Sequence, residues 1–149
     1  MFVSGPELEK CAANFVPLSP ISFLKRAADF FGERTAVVHG DLRFTYRDLY
    51  ARTRRLAHAL TKAGIGRGDT VAILAPNTPA MLEAHYSVLM IGAVLNPINI
   101  RLDAGAIAFC LDHGGAKLFL ADREFHGTIA RALELLGTKC PIVIDIADT

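Results

Sequence analysis

The sequence predicts an α/β fold with a mostly parallel sheet flanked by helices and preceded by a β-hairpin. Three observations lead there. Short apolar runs at residues 71–75 (VAILA), 118–121 (LFLA) and 142–146 (IVIDI) read as strands, the first of them as one buried on both faces. Segments of helical spacing separate them, with Gly or Pro at their ends. The connections are short, as expected for strand–helix repeats.

The elements follow in order. Residues 14–20 hold two prolines and read as an extended lead-in. Ser19 before Pro20 is a helix start, with Ser as N-cap and Pro at the first helical position. Phe23, Leu24, Ala27, Ala28 and Phe31 recur at helical spacing until Gly32. Residues 35–39 (TAVVH) and 42–44 form the hairpin arms, with Gly40-Asp41 as a two-residue turn. Thr45 opens a second helix, and Asp48 three residues later gives a capping-box spacing. Leu49, Thr53, Leu56, Ala57 and Leu60 share one face. Arg52, Arg54 and Arg55 fall largely on the others and read as a solvated surface, with an anionic partner as the alternative. Gly64 fits the position just past the helix end.

The alternating part begins with the strand at 71–75. Thr78-Pro79 opens a helix running to about Ile91, ended by Gly92. Residues 93–95 read as a short buried strand. Asp103 caps the next helix, which ends near His113 before Gly114-Gly115. After the strand at 118–121, Phe125, Ile129, Ala132, Leu133 and Leu136 mark a helix closed by Gly137. The last strand, 142–146, is followed only by Ala147-Asp148-Thr149. An α/β sheet covers a buried strand with a further helix, so the sequence is expected to be cut there or its sheet edge covered by something else.

The chain has 149 residues, 52% of them hydrophobic, with 16 Lys and Arg against 15 Asp and Glu. Such a length fits one domain and buries roughly 68–70% of the unfolded surface. High apolar content and a net charge of +1 exclude a disordered chain. The same balance argues against nucleic acid as a partner. Cys11, Cys110 and Cys140 lack C-x-x-C spacing, so they read as unpaired thiols in a reducing compartment rather than a zinc or redox pair. Residues 1–10 carry Glu7 and Glu9 without an apolar stretch and do not read as a secretory signal. The longest apolar-plus-Gly run, 88–95, is far short of the ~20 residues of a membrane span. A cytoplasmic location is expected.

Local motifs give little chemistry. Gly64, Gly66 and Gly68 (AGIGRGD) follow a helix and enter a strand, the reverse of a dinucleotide loop, and read as a helix end and turn. Gly137-Thr138-Lys139 reads as a turn. His39, His58, His85, His113 and His126 form no metal motif. His113 sits near a helix C-terminus, and His85 lies mid-helix beside Tyr86, where it could face a pocket. No G-x-S-x-G is present. Asp69, Asp103 and Asp112 read as turn or cap residues. Asn77, Asn96 and Asn99 follow the ends of predicted strands, where α/β folds place ligands. The loop 96–102 (NPINIRL) presents two amides and the Arg101 guanidinium, and these either meet a ligand or satisfy loop backbone.

Four segments together resemble the N-terminal part of adenylate-forming (AMP-dependent) acyl-CoA synthetases, the acid–thiol ligases. They are residues 14–24 (NFVPLSPISFL), 44–49 (FTYRDL, with Asp48 where Glu is common), 66–77 (GRGDTVAILAPN) and 92–103 (GAVLNPINIRLD). The resemblance covers nearly the whole chain. It implies that residues 1–149 form an N-terminal α/β subdomain, with the nucleotide-binding core and C-terminal domain absent. It implies a reaction that joins a carboxylic acid to coenzyme A through an acyl-adenylate, with ATP, Mg and CoA needed by the full-length enzyme. A short- or medium-chain or aromatic acid is the expected substrate. The family's Ser/Thr/Gly-rich phosphate loop and adenylation lysine are missing, so no catalytic, cofactor-binding or metal-binding role passes to any residue here. The chain alone is expected to be inactive and to bind no cofactor. Two alternatives stay open: a truncated scaffold or interaction module that associates through its exposed apolar sheet surface, and a free-standing nucleotide-binding domain.

Overall fold

A computed structural model describes residues 9–16 and 18–147. Residues 1–8, on which the reading of the N-terminus mostly rests, lie outside the described residues, as do Pro17 of the lead-in and Asp148-Thr149 at the end. Helix α1 spans Pro20–Phe31, strand β1 Thr35–His39, β2 Leu42–Thr45 and α2 Tyr46–Lys62. There follow β3 (Thr70–Leu74), α3 (Pro79–Met90), β4 (Val94–Pro97), α4 (Ala104–His113), β5 (Ala116–Asp122), α5 (His126–Leu136) and β6 (Ile142–Ile146).

Strands β1 and β2 pair antiparallel, turning at Gly40 with φ 53°. The other four form one parallel sheet in the order β4-β3-β5-β6. The chain runs from β3 out to β4, crosses back over β3 to β5, and continues to β6. The order therefore reverses between β3 and β5, and their carboxyl ends open the crevice where such sheets hold ligands.

Each sheet face has its own core. Val71, Ile73 and Ala75 pack with Leu118 and Leu120 against Leu60 of α2 and Ala84 and Val88 of α3. Ala72, Leu74, Phe119 and Ala121 pack against Ile107 and Leu111 of α4 and Ile129 and Ala132 of α5. Helix α1 lies outside this, on α2.

The expected local devices are present. Ser19 caps α1, with Pro20 leading the helix. Thr45 and Asp48 form the reciprocal capping box of α2. Gly64 and Gly92, just past the ends of α2 and α3, take φ of 85° and 73°, which L side chains rarely adopt.

Several expectations need correction. The short strand after α3 is not a buried one. It spans Val94–Pro97, has only β3 as neighbour, and leaves Val94 half exposed. Strand β6 is also an edge, and Ile142, Val143 and Ile144 stand open where the sequence read as a buried strand. Thr78-Pro79 does open α3 as read, with Thr78 extended at the N-cap and without a side-chain cap bond.

Candidate functional site

The loop leaving β3 carries Asn77 and Thr78 to the carboxyl edge of the sheet. Together with the first turns of α3 it faces the hairpin across a cleft of about 360 Å³. Asn77, Thr78, Met81 and His85 form one wall, and Val37, Val38 and His39 the other. The Thr78 hydroxyl is buried without a hydrogen-bond partner. His85 Nδ1 lies 2.8 Å from the Met81 carbonyl. A carbonyl only accepts, so Nδ1 carries the proton and Nε2 of the neutral ring keeps its lone pair. The cleft thus offers an amide and two imidazoles in apolar surroundings, with the Thr78 hydroxyl buried in its wall. It can hold the polar end of an uncharged or anionic group by hydrogen bonds. No carboxylate lines it.

A three-part clamp sets the spacing of the walls. Phe44 pairs with Val37 across the hairpin. The Arg52 guanidinium lies 4.5 Å from the Phe44 ring centre. Its Nε donates to Glu83 Oε1 at 2.5 Å, and the Glu83 side chain is only 9% exposed. Arg52 is therefore not part of a solvated face, as its helical position suggested. It joins the hairpin, α2 and α3. Arg54, over the Tyr50 ring, and Arg55 are exposed as expected.

The structure brings Asn77 and His85 together, as the strand-end and pocket readings anticipated for each. It separates them from the other candidates. Asn96 lies within β4, and its amide donates to the Cys110 carbonyl. Asn99 Oδ1 accepts the Arg101 backbone N–H at 3.0 Å, so this amide serves its own loop. Arg101 is exposed on a separate depression with Asp103, Thr128 and Arg131. His113 stacks on Phe109 at the end of α4. Thr78 and His39 were missed because neither belongs to a motif. Only the pairing of the hairpin against α3 reveals them.

The carboxylates take the expected turn and cap places, and two of them add ion pairs. Asp103 caps α4 through the Ala106 N–H, as read. Asp69 accepts from Gly66 N–H in the turn and also pairs with Lys117 of β5, and these contacts hold its carboxyl below the usual range. Asp112 closes the end of α4 as read, through its carbonyl, which accepts the Gly115 N–H at 3.0 Å, while its side chain is engaged elsewhere. It pairs with Lys139. Asp122, at the end of β5, is buried and accepts the Glu124 N–H.

The glycine turn does not fit a nucleotide phosphate. Gly66 N–H goes to Asp69 and Gly68 N–H to the Gly92 carbonyl, so the amides that would cradle an anion are used within the fold. Among the described residues no three His, Cys, Asp or Glu side chains gather to hold a metal.

The AMP-binding enzyme family model matches residues 24–149, most of the chain. The chain belongs to the AMP-binding enzyme family. It is 52% identical over 128 residues to a peroxisomal butyrate–CoA ligase of Arabidopsis thaliana, covering 86% of this chain and 22% of that protein. A peroxisomal benzoate–CoA ligase of the same plant is 46% identical, at 89% and 23% coverage. An acetate–CoA ligase of Humulus lupulus is 44% identical, at 95% and 26%. Among solved structures, a Mycobacterium tuberculosis fatty acyl CoA synthetase superposes with TM-score 0.78 at 30% identity, over 85% of this chain and 26% of that one. The chain spans about a quarter of the length of the curated relatives it matches. Within the family's architecture it is the N-terminal α/β portion, as the sequence motifs implied.

Proposed function

We propose that these 149 residues are the first α/β layer of an ATP-dependent acyl-CoA ligase acting on a short- or medium-chain or aromatic carboxylic acid. The observation that carries this reading is the identity to relatives named for butyrate, benzoate and acetate. In the proposed reaction a carboxylate oxygen attacks the α-phosphorus of ATP and expels pyrophosphate. The coenzyme A thiol then attacks the acyl carbon of the adenylate and expels AMP. ATP with Mg is assigned to the remainder of such an enzyme, because the glycine turn is committed to internal contacts and Asp69 within it pairs with Lys117.

The layer's contribution is positional. Its buried strands hold the carboxyl-edge cleft rigid, and rigid elements place reacting groups better than free loops do. The test is acid-dependent AMP release by the full-length protein with acetate, butyrate, hexanoate, benzoate and cinnamate. Release with at least one acid is expected, and silence with all of them would overturn the reading. The 149-residue chain should show no ATP–pyrophosphate exchange.

A second reading rests on β6. Its apolar side chains stand open beside the first core, a surface suited to self-association. Light scattering of the 149-residue chain should then give a mass above 16.1 kDa that falls to 16.1 kDa on Ile144→Lys. A monomer at high concentration would dismiss this reading.

A further inference from the structure

A second cavity, apart from the cleft at His85, opens beside helix α1. It measures about 660 Å³ and opens between α1, α2 and the start of β1. Leu24 and Leu49, both buried, form its floor beside Phe23. Arg26, Arg34 and Tyr86 stand around it. None of its lining residues is acidic.

The two guanidinium groups lack ordinary partners. Asp29 and Glu33, the carboxylates nearest them along the chain, are claimed by other cations. Asp29 pairs with Lys25 at 2.5 Å and Glu33 with Arg47 at 3.0 Å. Neither Arg26 nor Arg34 joins an ion pair among the described residues. Arg34 instead lies 5.1 Å from the Phe31 ring centre, and both residues line the cavity. A volume of this size is in the range of small-molecule sites.

We infer that this cavity binds an apolar small molecule bearing a carboxylate, with the chain on Leu24 and Leu49 and the carboxylate at Arg26 and Arg34. The apolar floor removes hydrocarbon from water. Guanidinium forks match a carboxylate in geometry and charge. The half of the ligand that favours the floor cannot supply the anion, and an inorganic anion cannot use the floor, so the site selects molecules carrying both. This reading is independent of the proposed ligase activity.

The experiment titrates the isotopically labelled 149-residue chain with decanoate below its micelle concentration, following backbone amide shifts by NMR. Decanol and acetate serve as the chain-only and charge-only controls. Shifts should cluster at Leu24, Arg34, Leu49 and Tyr86, with each control weaker by about tenfold or more. R26Q/R34Q should weaken decanoate by about tenfold with an unchanged circular dichroism spectrum, and R26K/R34K should keep most of the affinity. Both positions are exposed, and the single substitutions R26Q and R34Q give the same comparison if the double variant is unstable. Equal binding of decanol, or shifts centred elsewhere, would overturn the proposal. Stronger binding of decyl phosphate or of anionic phospholipid vesicles than of decanoate would also overturn it, pointing to a lipid headgroup instead.

Discussion

Strands β3 (TVAIL) and β6 (IVIDI) have similar apolar content and very different burial. Four of the five β3 residues are wholly inaccessible, whereas Ile142, Val143 and Ile144 of β6 are 52%, 38% and 39% exposed. The difference comes from what lies on either side. β3 has strands at both edges and helices on both faces. β6 has one strand neighbour, and only Ile146 reaches the first core. An apolar run therefore specifies that a strand can be buried, and the strand order decides whether it is.

The sharpest way to break this comparison is the same truncation in both strands. Ile73→Ala should cost about 3 kcal/mol, since it empties space between packed helices. Ile144→Ala should cost less than about 1 kcal/mol. Urea denaturation of the two variants measures both, and equal losses would show that β6 is covered in solution. A smaller effect is expected from the clamp over the covered side of β3. Arg52→Ala leaves the nearly buried Glu83 carboxylate without its donor and should cost about 2 kcal/mol, with Glu83→Gln in the same background restoring part of it. Thr45→Ala should cost about 1 kcal/mol by uncapping α2, and hydrogen exchange should rise in α2 before it rises in β6.

The smallest expected effect concerns pH. Asp69 precedes β3 and pairs with Lys117 of β5, and its folded carboxyl is held low by that bond and by the Gly66 N–H. A lowered folded value means that its contribution is complete above the ordinary value, 3.8, and is lost as pH falls through the folded one. Asp69→Asn should therefore flatten the acid limb of stability against pH below about 4, its small loss being greatest at neutral pH and vanishing as pH falls through the folded value. Thermal melts from pH 2 to 7 would record it.

Local devices were legible in the sequence. Ser19-Pro20, Thr45 with Asp48, Gly64 and Gly92 each act within one helix turn, so their meaning is carried by neighbours a few residues away. The parallel α/β class followed from the repeat of strand and helix patterns. What sequence could not place were contacts set by topology. Arg52 looks solvated from its helical position because Glu83 lies 31 residues away. Asp112 meets Lys139 across 27 residues, and no periodicity predicts that. Asn77 and His85 were each flagged, but their meeting beside His39 depends on where the hairpin folds back. Asn99 was read as meeting either a ligand or its own loop backbone, and it serves the Arg101 N–H, a local bond that the spacing of the two residues allowed.

The reversal of strand order also bears on how the chain assembles. Apart from the hairpin, no strand pair is contiguous in sequence: every pairing in the main sheet waits for an intervening helix to form and turn back. Closing such long loops comes early in the cost and late in the reward, which slows folding. On a ribosome adding about 5–20 residues each second, β3 emerges with both edges bare and stays so until β4 arrives. Its second edge waits longer still, for β5. For that interval a strand made for full burial is a newborn without neighbours, and its protection falls to the amphipathic helix α2, the covering element already made.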